Sequence, residues 1–473
     1  MASVVMGIIG GIAAWSLAVF KDPTQASVLH HHALSELKPL LSPNASIHLP
    51  CSEGFQTAMD RWTRWKNPEF DVIVEVVTED DVSKAVQYAN QQEQQFLAIS
   101  GGHGGTKHLG DVEHGVGIWM RKMDGVQVHE DGCSATTGGG VLSKKVVDAL
   151  WEEGKQTVIG ACECTGAIAP ALGGGHGWLQ GRHGLLADQI LSARLVLANG
   201  TAVTVSSSSH PDLFWAIRGA GHNFGIVTDM QYKVYDRTPQ NEKWAMETLT
   251  FSGTKLEEVL QELNEMMKQY HDVVELAHWT EVLWLSQVDP KLSPLSHDTF
   301  LTDLRGLAAP LMMDNDGAAC QHGSAYLRFP FGGSEYNIEG LRIAYDTLAA
   351  LPPKLNQSWI ISEGYSMRGV QSVPAESTAF PDRYNSLLMA VFMVYSPEDE
   401  ALDQQAAEYG EAMRDDVVKS SGDGLQAYVN YAFGDESQEA LYGYESWRLD
   451  RLQKLKALYD PDGRFNFYNP ILT

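Results

Sequence analysis

A run rich in valine and isoleucine over residues 71–77, interrupted by Glu75, gives way to apolar positions at Val82, Ala85, Val86 and Ala89. The run predicts a strand, and the three- and four-residue recurrence predicts a helix with one buried face. Between them, Thr78-Glu79-Asp80-Asp81 predicts the helix start, with Thr78 as cap and acidic residues in the first turn. A second short strand, 96–99, runs straight into Ser100-Gly101-Gly102-His103-Gly104-Gly105. The unit is β-α-β, but its second strand delivers the glycine loop, unlike the common dinucleotide fingerprint.

Farther along, 115–120, 126–128 and 135–137 predict short strands, and Leu142, Val146, Val147 and Leu150 predict an amphipathic helix. Gly138-Gly139-Gly140 between them reads as a strand-to-helix turn. Runs over 190–197 and 202–205 flank Asn199-Gly200, which best tolerates positive φ at both centres of a tight hairpin turn. At Arg237 the texture changes: helical patterns over 255–270 and 338–351 alternate with strand-like runs over 358–362 and 386–394. Near the end, Leu449, Leu452, Leu455 and Leu458 mark one helix face, stopped by Asp460-Pro461 because proline disfavours helix in the residue before it. The pattern is α+β without internal repeats. A chain of 473 residues exceeds what one core supports, so lobes are expected at 27–236 and 237–424, with a C-terminal segment at 425–473.

Residues 4–20 are nearly all apolar and are followed by Thr24-Gln25-Ala26, which resembles a small-residue processing site. A signal peptide over 1–26 and passage through the secretory pathway are expected. The run lacks a preceding Lys or Arg and contains Gly7, Gly10 and Gly11, which leaves open a membrane anchor or a greasy helix packed on the core of an intracellular protein. No later segment is long and uncharged enough to cross a bilayer, so no stable insertion of the mature chain is expected.

The net charge of -26 would repel a phosphate backbone, which excludes nucleic-acid partners. An anionic dinucleotide can still be held by backbone N–H groups. Five cysteines, Cys51, Cys133, Cys162, Cys164 and Cys320, leave at least one thiol over. Cys162 and Cys164 flank one residue, too close for an easy mutual disulfide and unlike a CxxC pair. Sequons at Asn44, Asn199 and Asn356 matter only in a secreted chain. His30, His31 and His32 cannot all point one way and read as a solvated linker. His176, His183 and His222 lie in glycine-rich turns without metal-ligand spacings, so no metal is expected.

Chemistry concentrates in the Ser100–Gly105 loop and in Gly160-Ala161-Cys162-Glu163-Cys164-Thr165-Gly166. Glycines let a backbone approach a pyrophosphate and aim several N–H groups at it. With Trp62-Thr63-Arg64-Trp65, Leu172-Gly173-Gly174-Gly175-His176-Gly177, Gly184-Leu185-Leu186-Ala187-Asp188, Asp212-Leu213-Phe214-Trp215-Ala216 and Gly219 to Val227, these motifs in order resemble a known family. It is that of the berberine bridge enzyme-like oxidoreductases of the vanillyl-alcohol oxidase superfamily, in a form common among fungi. Thr165 stands where Val is common there, and Gln189 where Asn is usual.

The resemblance implies a PCMH-type FAD-binding domain of two α/β subdomains, plus a substrate-binding domain whose antiparallel sheet is covered by helices. The C-terminal segment would return to the FAD-binding domain. FAD would be held by two covalent bonds, from His103 to the 8α methyl and from Cys162 to C6. Cys162 rather than Cys164 keeps the family's distance to the Gly173 cluster. Ser100, Gly101, Gly102, Gly104, Gly105, Thr165, Gly166, Gly173, Gly174, Gly177, Gly225, Ile226 and Val227 would cradle the cofactor, and Asn469 would meet its pyrimidine edge. The ending Tyr428-Val429-Asn430-Tyr431 is also similar to the family's, with its Asn-Tyr pair facing the flavin. Tyr431 is the expected general base and Tyr428 the second choice. A tyrosine titrates near pH ~10, so it serves only if its surroundings lower that value. A carboxylate from the second lobe is the alternative.

Implied, too, is hydride transfer to flavin N5 from a C–H bond beside an alcohol or amine of a secondary metabolite or sugar. O2 would be the acceptor and the protein a monomer. Trp279, Trp284, Phe329, Phe331 and Trp359 in the second lobe suit an apolar substrate as well as a sugar. Two alternatives remain open: a flavin-containing cyclase acting without net redox, and a non-catalytic protein keeping the fold.

Overall fold

The computed structural model describes residues 30–239, 242–270, 277–283 and 296–473. The apolar segment at 4–20, Trp284 and the side chain of Trp279 lie outside what is described. The first lobe opens with β1 (Ser46–His48), β2 (Phe70–Glu75), β3 (Phe96–Ile99) and β4 (Gly115–Trp119). These form one sheet in the order β1-β2-β4-β3, parallel except for β1. The helix Glu79–Gln91 links β2 to β3 and buries Val82, Ala85, Val86 and Ala89. At its start the Thr78 hydroxyl accepts from the Asp81 N–H while the Asp81 carboxylate accepts from the Thr78 N–H, a reciprocal cap of about 1 kcal/mol.

A second sheet follows, of β5 (Val126–Val128), β6 (Ser134–Gly138), β8 (Ile190–Val196), β9 (Ala202–Ser206) and β10 (Ile226–Lys233). It is antiparallel, in the order β5-β6-β10-β8-β9, with a side ribbon of β7 (Lys155–Gln156) and β11 (Tyr235–Asp236). The β8–β9 turn differs from the expected one. Only Gly200 takes positive φ, and the Asn199 side chain accepts from the Thr201 N–H at 2.9 Å. The loop spans more residues than a two-residue turn, so one left-handed glycine closes it. His30 and His32 are likewise not a solvated linker: they bond the Asp71 carbonyl and the Gln92 side chain from a short helical turn.

The second lobe contains a ribbon of β12 (Trp244–Thr250) with β14 (Ser296–Thr302), and an antiparallel sheet. That sheet joins β13 (Ala277–Leu283), β16 (Trp359–Tyr365), β17 (Leu387–Tyr395) and β15 (Ala325–Gly333), in that order. Strand alternation sorts its faces. Leu327, Phe329 and Phe331 enter a core with the helices Ile338–Ala349 and Glu400–Ser421, so the two phenylalanines do not line the cavity between the lobes. Arg328, Glu363 and Tyr365 point the opposite way, into a cavity shared with the first lobe. The C-terminal helix Ser446–Tyr459 buries Leu452 and Leu455, but Leu458 is 68% exposed. A stripe at every third residue drifts about 60° per step on a 3.6-residue helix, which carries Leu458 into solvent. Beyond it the chain folds back on the first lobe, where the Ile471 N–H bonds the Asn223 side chain at 2.9 Å. Among the described residues no helix is long and apolar enough to cross a membrane.

Candidate active site

A cavity of about 330 Å³ lies between the lobes. Its first-lobe wall is the loop leaving β3, Ser100–Gly104, with Gly160–Cys162, Thr165, Gly166, Gly225, Ile226 and Val227. Gly102 has φ +73, and a Cβ on Gly101 would lie 2.5 Å from the Gly166 nitrogen, so only glycine lets the two loops meet. The Arg61 guanidinium donates to the Gly104 carbonyl at 3.0 Å, and burial lowers its pKa to about 10.

His103 is half-buried beneath Trp62, whose ring is stacked 5.3 Å from its own. Burial, with Arg328 nearby, pushes its pKa down to about 3, which leaves a neutral imidazole. The Cys162 thiol lines the same wall and is pushed up to about 11 by burial. Cys164 is bonded to Cys320, and both sulfurs lie close to Cys162. That sulfur cluster is therefore a disulfide and one thiol, not three metal-ready thiolates. The Thr165 hydroxyl donates to the Cys162 carbonyl at 2.9 Å and contacts Ser143 Oγ at 3.1 Å, which pins the cysteine turn.

Facing this wall, Glu363 on β16 accepts from the Tyr431 hydroxyl at 2.5 Å and the Tyr365 hydroxyl at 2.7 Å. Burial raises its pKa to about 7 against the two hydrogen bonds. Tyr431 is pushed well above its ordinary value by burial and by the Glu363 charge. Burial also raises Tyr428, whose oxygen accepts from the Asn430 side chain at 2.6 Å. His176 packs between Tyr365 and Tyr428, and burial lowers it to about 4. Glu363 thus sits one hydrogen bond from each of two tyrosine hydroxyls.

The model of an FAD binding domain matches residues 70–206, and that of berberine and berberine-like proteins matches 427–471. The FAD-linked oxidoreductase chyH of Penicillium rubens is 38% identical over 97% of this chain and 98% of its own length. That of Gibberella zeae, chry5, is 38% identical over 91% and 93%. The chain belongs to the berberine-like FAD-linked oxidoreductases. Among solved structures, the fold is similar to Acremonium strictum glucooligosaccharide oxidase, with TM-score 0.76 and 20% identity over 89% of this chain and 95% of that one. Similar in fold as well is the 6-hydroxy-D-nicotine oxidase of Arthrobacter nicotinovorans, with TM-score 0.75 and 20% identity over 91% and 98%.

This FAD-dependent oxidoreductase offers what an anionic dinucleotide needs. Ser100 Oγ, His103 Nε2, His222 Nδ1, Arg61 Nε and Arg328 Nε and Nη2 are buried without hydrogen-bond partners, all on residues of the cavity wall. Orphaned buried polar atoms at this density are costly unless a ligand meets them. Ser100 to Gly104, Cys162, Thr165, Gly166, Gly225, Ile226 and Val227 lie together on the wall, as do Tyr428 and Tyr431. Gly105, Gly173, Gly174, Gly177 and Asn469 do not. Gly105 abuts Arg328, Gly173 abuts Asn430, Gly174 abuts Phe380, and Gly177 presses on the Ile159 backbone, where a Cβ would collide. Asn469 is buried, giving its amide to the Val429 carbonyl and accepting from Thr106, both at 2.9 Å. Glu363, Tyr365 and Arg328 had not been singled out from sequence. A charge inside an otherwise apolar strand, as in Tyr326-Leu327-Arg328-Phe329, is the signal that could have found Arg328 and Glu363.

Proposed function

We propose that this oxidoreductase carries FAD on two covalent bonds, from His103 and Cys162, and oxidises an alcohol or amine of a secondary metabolite or sugar. The chemistry FAD supplies when bound is hydride acceptance at N5 and reoxidation by O2, with release of hydrogen peroxide. The Ser100–Gly104 loop, Arg61 and the neutral His103 hold the cofactor. Tyr431 takes the substrate's O–H or N–H proton and passes its own to Glu363. This relay removes the difficulty of a tyrosine base, because the proton ends on a carboxylate poised near neutrality. The observation that carries the reading is the 2.5 Å Tyr431–Glu363 bond on the cavity that His103 and Cys162 also line. Support for two tethers comes from the Acremonium strictum enzyme, described with 6-S-cysteinyl, 8α-N1-histidyl FAD. Small sugars and an alkaloid are the substrates named for its structural neighbours. Secretion is supported by the Cys164–Cys320 disulfide and by exposed Asn44, Asn199 and Asn356.

Intact-mass analysis of denatured protein tests the tethers: the wild type and each of His103→Ala and Cys162→Ala should retain flavin, and the double variant should release it. Release from the wild type would end the two-bond reading. With a panel of oligosaccharides and phenolic alcohols, Glu363→Gln should slow flavin bleaching by about 10²- to 10⁴-fold. An unchanged rate at every pH would remove Glu363 from the chemistry. Turnover without peroxide would favour a cyclase.

A further inference from the structure

Three sulfurs, those of Cys162, Cys164 and Cys320, lie within 4.8 Å of one another. Cys162 Sγ is 3.4 Å from Cys164 Sγ and 3.6 Å from Cys320 Sγ, while Cys164 and Cys320 are bonded. Three thiols can make one bond and leave one thiol over. Neighbours two residues apart pair poorly, so the real competition is between Cys164–Cys320 and Cys162–Cys320. The two isomers differ at one place that matters: Cys162 lines the cavity and Cys164 does not.

We infer that Cys164 is a positioning residue for the cofactor, occupying Cys320 so that Cys162 stays a free thiol on the cavity wall. The inference rests on the reading that Cys162 bonds the flavin. In the exchange that undoes this arrangement, the Cys162 thiolate attacks Cys320 Sγ. The Cys162–Cys320 bond forms, the Cys164–Cys320 bond breaks, and Cys164 leaves as a thiolate that takes up the proton Cys162 lost. No net oxidation occurs. The wrong isomer would bury its free thiol off the cavity, where it cannot reach the ring.

Local structure holds the two cysteine-bearing segments together. The Glu163 N–H donates to the Met313 carbonyl at 2.9 Å, and the Asn315 N–H donates to the Glu163 carboxylate at 3.1 Å. Both bonds hold the loop bearing Cys320 against the Cys162–Cys164 turn. Burial pushes the Cys162 thiol up to about 11, which leaves little thiolate near neutral pH.

The test uses full-length chains expressed with FAD and folded in a glutathione redox pair. There, forming Cys162–Cys320 reduces one glutathione disulfide to two thiols. Flavin retained after denaturation is read by intact mass, and cross-links by non-reducing peptide mapping. His103→Ala alone should keep flavin through Cys162. Adding Cys164→Ser should abolish that retention and produce a Cys162–Cys320 peptide. Adding Cys320→Ser as well should restore retention, which a merely structural role of the disulfide would not do. Retention in His103→Ala/Cys164→Ser, or failure of the third substitution to restore it, would overturn the inference. Loss of flavin already in His103→Ala would instead refute the Cys162 bond on which it rests.

Discussion

The two walls of the cavity carry buried ionisable groups in opposite states. On the first-lobe wall, burial drives His103 to about 3 and His176 and His222 to about 4, so all three are neutral at any working pH. On the facing wall, the same effect brings Glu363 to about 7, where it can gain or lose a proton. Burial disfavours whichever form is charged, which silences a base and arms an acid. One wall is thus fit to hold by shape and the other to exchange protons, through the same physical effect.

Breaking the join between the walls should have the largest effect. Arg383, from the second lobe, is 1% exposed and meets Asp188 of the first at 2.8 and 3.0 Å. Arg383→Met strands a buried carboxylate and should cost about 3–5 kcal/mol, read as a lowered Tm; an unchanged Tm would show that the pair is dispensable. A smaller effect should sharpen the contrast. Tyr365→Phe deletes one of the two bonds that favour the Glu363 carboxylate, so its pKa should rise further. Because protonated Glu363 cannot accept the relayed proton, the acid limb of turnover should move to higher pH by about one unit, equivalent to roughly 1.4 kcal/mol. A limb that stays put would argue against Glu363 as the titrating group. Least of all, Thr165→Val should cost roughly 1 kcal/mol through the lost hydroxyl bonds and leave the pH profile of turnover alone. A shifted profile would mean that the first wall is not electrostatically silent.

What sequence could reveal tracks how local each feature is. The helix over 79–91 and its Thr78 cap are written in adjacent residues, and the glycine loop follows directly from the strand before it. His103 and Cys162 fall on one cavity wall, a juxtaposition that the ordered motifs around them implied. Glu363 was not, since its meaning depends on which face of β16 looks into the cavity and on Tyr431 arriving from 68 residues away. The expected strand also ended at residue 362, one position short of it. Sequence offered no means of pairing Cys164 with Cys320 across a separation of 156. Leu458 misled because spacing alone does not show where a drifting stripe meets solvent.

Tyr428, Asn430, Tyr431, Phe467 and Tyr468 all stand on the cavity wall, yet they belong to the final stretch of the chain. The glycine loop precedes all of them along the chain. A first lobe taken without them would leave the cavity open on that side.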